Sequence, residues 1–153
     1  MKNSICNLLI EPSNQDYYDL LDYALAECQY VLVAVRDTIQ LNSKGQEVLE
    51  KLSNYLYNEK QTDEWPGTKL LNNQARVLQF HYVPGSVEIL KVAVSSLYQW
   101  LQPDLPEDLC LLRADETPWL VTISHENDGY FVLLDQEKNH LFSALPQYRL
   151  MME

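Results

Sequence analysis

Three apolar, β-rich segments crowd the last third of the chain: Leu109–Arg113, Trp119–Ile123 and Tyr130–Leu134. Ala114–Pro118 and His125–Gly129 separate them, and both separators carry turn residues such as Pro, Asp, Asn and Gly. Connections this short join antiparallel neighbours. The region therefore predicts a three-strand meander, whose apolar face must be covered by other elements of the chain.

Upstream segments supply that cover. Tyr30–Arg36 (Tyr-Val-Leu-Val-Ala-Val-Arg) is an unbroken apolar run of strand length, as expected for a strand buried on both faces. Helical spacing of apolar residues recurs in three places. Tyr17, Leu20, Leu21, Ala24, Leu25 and Cys28 mark a helix over Ser13–Cys28, with Ser13 and Asp16 resembling a capping box. Val48, Leu49, Leu52, Tyr55 and Leu56 mark a second, capped by Asn42 or Ser43 and reaching Asn58. Val87, Leu90, Val94, Leu97, Tyr98 and Leu101 mark a third, capped by Ser86 and ended by Pro103. Residues 59–67 read as a polar loop leading into Trp65-Pro66-Gly67-Thr68, where Pro followed by Gly suits a type II turn. Thr68–Leu71 and Ala75–Tyr82 read as a hairpin. Asp135 opens a short helix to Ala144, and the end around Pro146 reads as loose. The expected fold is a single α+β domain over 1–153. It has a mixed or mainly antiparallel sheet, three main helices and the C-terminal meander.

At 153 residues the chain can bury roughly 70% of its unfolded surface, so it needs no disulfide or metal staple. Its three cysteines, Cys6, Cys28 and Cys110, are odd in number and far apart, which fits reduced thiols in a cytoplasmic protein. Neither an export signal nor a membrane span is legible. The net charge is −11, and residues 101–153 carry 3 basic against 10 acidic side chains. Such a balance repels phosphates, which argues against nucleic-acid or membrane partners and permits a basic protein partner. Exposed strand edges at the meander or at Thr68–Leu71 would allow a homodimer.

Four features could carry function. Ser124-His125-Glu126-Asn127-Asp128-Gly129 offers an imidazole and carboxylates in one turn. Adjacent residues on a strand point to opposite faces, however, so His125 and Glu126 do not naturally converge. Trp65 is either a partner anchor or a pin that fixes its loop to the core. Asp104, Glu107 and Asp108 form an acidic stretch, read either as a solvated linker or as a face for a basic partner. Cys110 could be a reactive thiol, though no neighbouring histidine supports it. Sequence templates for nucleotide binding, serine hydrolysis and zinc proteolysis are absent. His81, His125 and His140 lack ligand spacing. Catalytic residues, metal ligands and cofactors are therefore not expected from the sequence.

The segments Asp63-Glu64-Trp65-Pro66-Gly67-Thr68 and Pro106-Glu107-Asp108-Leu109-Cys110, followed by Trp119 and Ser124-His125-Glu126, resemble a group of small bacterial proteins with no established activity. The likeness spans residues 30–135. It implies a bacterial source, and it implies that the Trp65 turn and the His125 hairpin are family features. The resulting functional expectation is a non-catalytic protein-binding module, immunity- or antitoxin-like, with an acidic face toward a basic partner. Its candidate contacts are Trp65, Asp104, Glu107, Asp108, His125, Glu126 and Asp128. Two alternatives remain: a small-molecule-binding protein or hydrolase with its site near His125, Glu126 and Trp65, and a homodimeric structural protein.

Overall fold

The meander forms one half of a larger antiparallel sheet. A computed structural model describes residues 2–153. Its strands are β1 (Ser4–Asn7), β2 (Tyr30–Arg36), β3 (Leu56–Thr62), β4 (Glu64–Trp65), β5 (Thr68–Lys69), β6 (Ala75–His81), β7 (Glu107–Leu112), β8 (Pro118–Ile123) and β9 (Asp128–Leu133). The helices are α1 (Gln15–Ala24), α2 (Ser43–Leu52), α3 (Pro84–Ala93), α4 (Asp135–Ala144) and α5 (Tyr148–Met151). Seven strands make one sheet in the order β1-β9-β8-β7-β2-β6-β3, and every pairing is antiparallel. The α+β class and the meander are as the sequence predicts.

Strand β2 is central because its side chains are apolar in both directions. Val31 and Val33 enter the main core, where all five helices contribute buried residues. Leu32 and Ala34 face the opposite side with Val77, Cys110, Leu112 and Val121. There the cover is the small β4–β5 hairpin, which lays Trp65 and Leu70 against the sheet. Gly67, at φ +86, turns this hairpin. A Cβ there would meet Val121 at 2.8 Å, so the turn needs both the backbone freedom and the small size of glycine.

Several expected boundaries move, each for a physical reason. Helix α2 stops at Leu52, and Leu56–Thr62 is an edge strand rather than helix and loop. An edge strand exposed on both faces needs no apolar alternation, so its sequence looks like a loop. Ala75–His81 consequently pairs with β2 and β3, whereas Thr68–Lys69 pairs with Glu64–Trp65. Helix α3 ends at Ala93 instead of Leu101. The backbone of Ser95–Leu97 bonds instead to the chain entering α1, through Asn14 N–H to Ser95 and Leu97 N–H to Pro12. Ser86 is not the cap of α3. It lies inside the first turn, where its hydroxyl accepts from the Val83 N–H and donates to the His81 carbonyl. The C-terminal end is tied down rather than loose. Tyr148 is buried, and Met152 bridges Leu8 just past the end of β1.

Neither edge expected to self-associate is a free edge of the main sheet. The meander strand β9 is covered by β1, and Thr68–Lys69 belongs to the small hairpin. Among the described residues, no helix is long and apolar enough to cross a membrane.

Candidate functional site

The site begins with an irregularity in β7. Ala34 of β2 pairs with Glu107 and Leu32 pairs with Cys110, so β7 has one residue more than β2 over this interval. The extra residue makes a bulge, and Asp108 within it takes a left-handed φ of +58. Regular alternation would send Glu107 and Asp108 to opposite faces. The bulge instead turns both carboxylates, with Cys110, toward the face carrying the β4–β5 hairpin, while Leu109 enters the main core.

Asp108 is fully buried (0% exposed) and well supplied with donors. Its Oδ2 accepts from the Trp65 indole Nε1 at 3.0 Å and from the Thr68 hydroxyl at 3.4 Å. Its Oδ1 accepts from the Ser124 backbone N–H at 2.9 Å. One carboxylate thereby ties the β4–β5 hairpin and the turn Ser124–Glu126 to the same strand. Three donors from neutral groups satisfy the hydrogen-bonding capacity that burial would otherwise leave unmet.

Glu107, 2% exposed, pairs with Arg36, whose Nε lies 2.7 Å from Glu107 Oε2. Burial pushes the Glu107 carboxyl above its ordinary value; the ion pair and hydrogen bond to Arg36 pull it back, and the Asp108 charge pushes it up again. Arg36 is itself held from several sides. Gln102 accepts from the Arg36 N–H at 2.7 Å and donates to its carbonyl, and the guanidinium carbon lies 5.7 Å from the Trp65 ring centroid. Its Nη2 approaches His125 Nδ1 at 3.4 Å. Arginine has only donors, so a hydrogen bond in this contact has Nδ1 as its acceptor. The other ring nitrogen, Nε2, lies 3.8 Å from Glu126.

Above this network lies an open cleft of about 230 Å³, lined by Arg36, Gly67, Thr68, Lys69, Leu70, Ile123, His125 and Glu126. It falls below the few hundred Å³ usual for a small-molecule site. The hydrogen bonds and ion pairs of His125 run to Arg36 and Glu126, with no serine or cysteine nucleophile among them.

Several contacts expected from the sequence change character. Glu107 and Asp108 do not form a solvated acidic face, because the bulge turns them inward. Trp65 is 4% exposed and serves as the pin of its loop, so it does not offer a surface anchor. Asp104 is exposed but lies elsewhere, accepting from Asn42 at the start of α2. Asp128 is half-buried and its carboxylate is used by the Gly129 N–H. His125 and Glu126 remain at the surface, His125 with 45% of its side chain exposed.

The fold also recruits Arg36, Thr68, Gln102 and Ser124, which the sequence did not single out as site residues. Arg36 had one visible signal, a charge closing an otherwise apolar strand. The carboxylates of Glu107 and Asp108 and a ring nitrogen of His125 all lie within 4.8 Å of one another, a set of possible metal ligands from unrelated sequence positions. The three segments that carry the sequence resemblance, around Trp65, Asp108 and Ser124–Glu126, meet here. Comparisons with protein-family models, with curated proteins and with solved structures gave no match.

Proposed function

We propose that this chain is a non-catalytic protein-binding module that presents the β4–β5 hairpin and the Ser124–Glu126 turn as one surface to a basic protein. The supporting observation is the Asp108 carboxylate, which bonds both loops at once. Loops fixed in advance lose less entropy on binding. The exposed groups around them are mainly acidic. Asp63, Glu64 and Glu126 stand there with Lys69, which already lies 3.4 Å from Asp63 and 3.6 Å from Glu64, and with Lys60 on the neighbouring strand. With a chain charge of −11, such a surface speeds encounter with a positive partner and disfavours acidic ones.

The test is affinity capture from the source organism at low and high salt, followed by binding of the purified partner. Wild-type protein should retain a basic protein, and binding should weaken as salt rises. The triple variant Asp63→Asn, Glu64→Gln, Glu126→Gln should lose at least tenfold in affinity while remaining folded. Unchanged affinity in that variant, or loss on Asp104→Asn alone, would move the contact away from this surface.

A further inference from the structure

Two buried carboxylates, Glu107 and Asp108, stand side by side, and the half-buried guanidinium of Arg36 pairs with Glu107. The ion pair uses Glu107 and leaves Asp108 to hydrogen bonds from neutral donors. Their neighbour His125 is exposed and stands at the cleft. We propose that Glu107, Asp108 and His125 bind a divalent transition-metal ion of the Zn²⁺ or Mn²⁺ class.

The ligand atoms are available. Arg36 occupies Glu107 Oε2, leaving Oε1 open. Asp108 Oδ1 accepts one hydrogen bond, from Ser124, and each carboxylate oxygen has two lone pairs. His125 Nδ1 meets Arg36 over a long 3.4 Å contact that an exposed ring can exchange for a metal bond. All three donors already lie within 4.8 Å of one another. Ligands on a common tetrahedral ion with bonds of about 2.0–2.2 Å stand about 3.3–3.6 Å apart, so a pair at the 4.8 Å limit must close by up to about 1.5 Å.

Two surroundings favour an ion. Arg36, on the far oxygen of Glu107, would orient that ligand from outside the coordination shell. The Ser124 hydroxyl is buried and has no protein partner, one residue before His125 and on the backbone bonded to Asp108. Such a group is a ready hydrogen-bond partner for water on a metal. Two carboxylates and an imidazole match ions of borderline hardness rather than thiolate-seeking ones. Three protein ligands leave at least one coordination position for water.

This inference is independent of the partner-binding reading, since it concerns the isolated protein. The experiment titrates chelator-treated full-length protein with ZnCl₂ and with MnCl₂, by calorimetry and by thermal unfolding. One ion per chain should bind, and the melting temperature should rise with ion concentration. His125→Ala changes an exposed residue and should fold normally, yet lose at least tenfold in affinity. His81→Ala and His140→Ala should bind as wild type. Glu107→Gln serves as a second ligand variant and should also lose affinity, with its fold checked by circular dichroism. The absence of heat and of a thermal shift with both ions up to millimolar concentration would overturn the proposal. Unchanged affinity in folded His125→Ala would overturn it equally.

Discussion

The indole nitrogen of Trp65 lies 3.0 Å from Asp108 Oδ2, although the two residues are 43 positions apart in the chain. The bond closes the hairpin over the second face of the sheet and satisfies a buried carboxylate. Trp65→Phe keeps an aromatic ring but removes the donor and part of the buried ring volume. It should cost about 1–3 kcal/mol in urea unfolding, the usual penalty for an unsatisfied buried polar group. Asp108→Ala should cost more, because it strands the Trp65 and Ser124 donors together. Equal stability of Trp65→Phe and wild type would mean the bond carries no energy.

The Arg36–Glu107 pair should behave asymmetrically. Glu107→Ala leaves a guanidinium that is 18% exposed without its partner, and should destabilise by about 3–5 kcal/mol. Arg36→Met combined with Glu107→Leu should recover most of that loss, because a buried ion pair is replaced by packing. Additive losses in the double variant would show that the two side chains act separately.

Much of the framework can be read from periodicity. Helix α1, strand β2 and the meander follow from apolar spacing and turn residues, because each buries one face or two against a core. The elements that escaped lack that signal. Strand β3 lies at an edge, where Asn58, Glu59, Lys60 and Gln61 are all exposed and no pattern is enforced. The end of α3 is set by backbone bonds to Pro12 and Asn14, which no local sequence encodes. The site itself depends on one extra residue in β7. Without knowledge of the pairing, Glu107 and Asp108 read as surface acids, and the convergence of Arg36, Thr68 and Ser124 on them has no linear signature.

Acid sensitivity should trace in part to Glu137. Burial opposes its ionisation, but hydrogen bonds from Arg113 and the Leu134 N–H, with the Arg113 charge, hold its carboxyl below the ordinary value. A group with a lowered folded value stabilises the protein above its unfolded value, and that contribution is lost as pH falls through the folded one. The stability gap between wild type and Glu137→Gln should therefore narrow as pH drops below the ordinary glutamate range. Glu107 contributes with the opposite sign but is common to both proteins. A gap independent of pH, measured by urea unfolding, would contradict the assignment.

The three thiols should be silent in the folded protein. Cys6, Cys28 and Cys110 are all buried. Burial pushes the Cys110 thiol up to about 12 and raises Cys28 further, so neither offers thiolate at neutral pH. Labelling with iodoacetamide at pH 8 should appear only on unfolding. A rapidly modified Cys110 would restore the reactive-thiol reading.

The claim that Asp108 joins two loops into one surface is tested most directly by hydrogen exchange, read by NMR at the Ser124 amide and the Trp65 indole. In Asp108→Asn, which changes the acceptor while keeping the side chain's size, both protons should exchange faster together. The amides of the main core, such as Val33 and Leu111, should stay as slow as in wild type. Acceleration at one of the two sites alone, or at neither, would show that the hairpin and the turn are held independently.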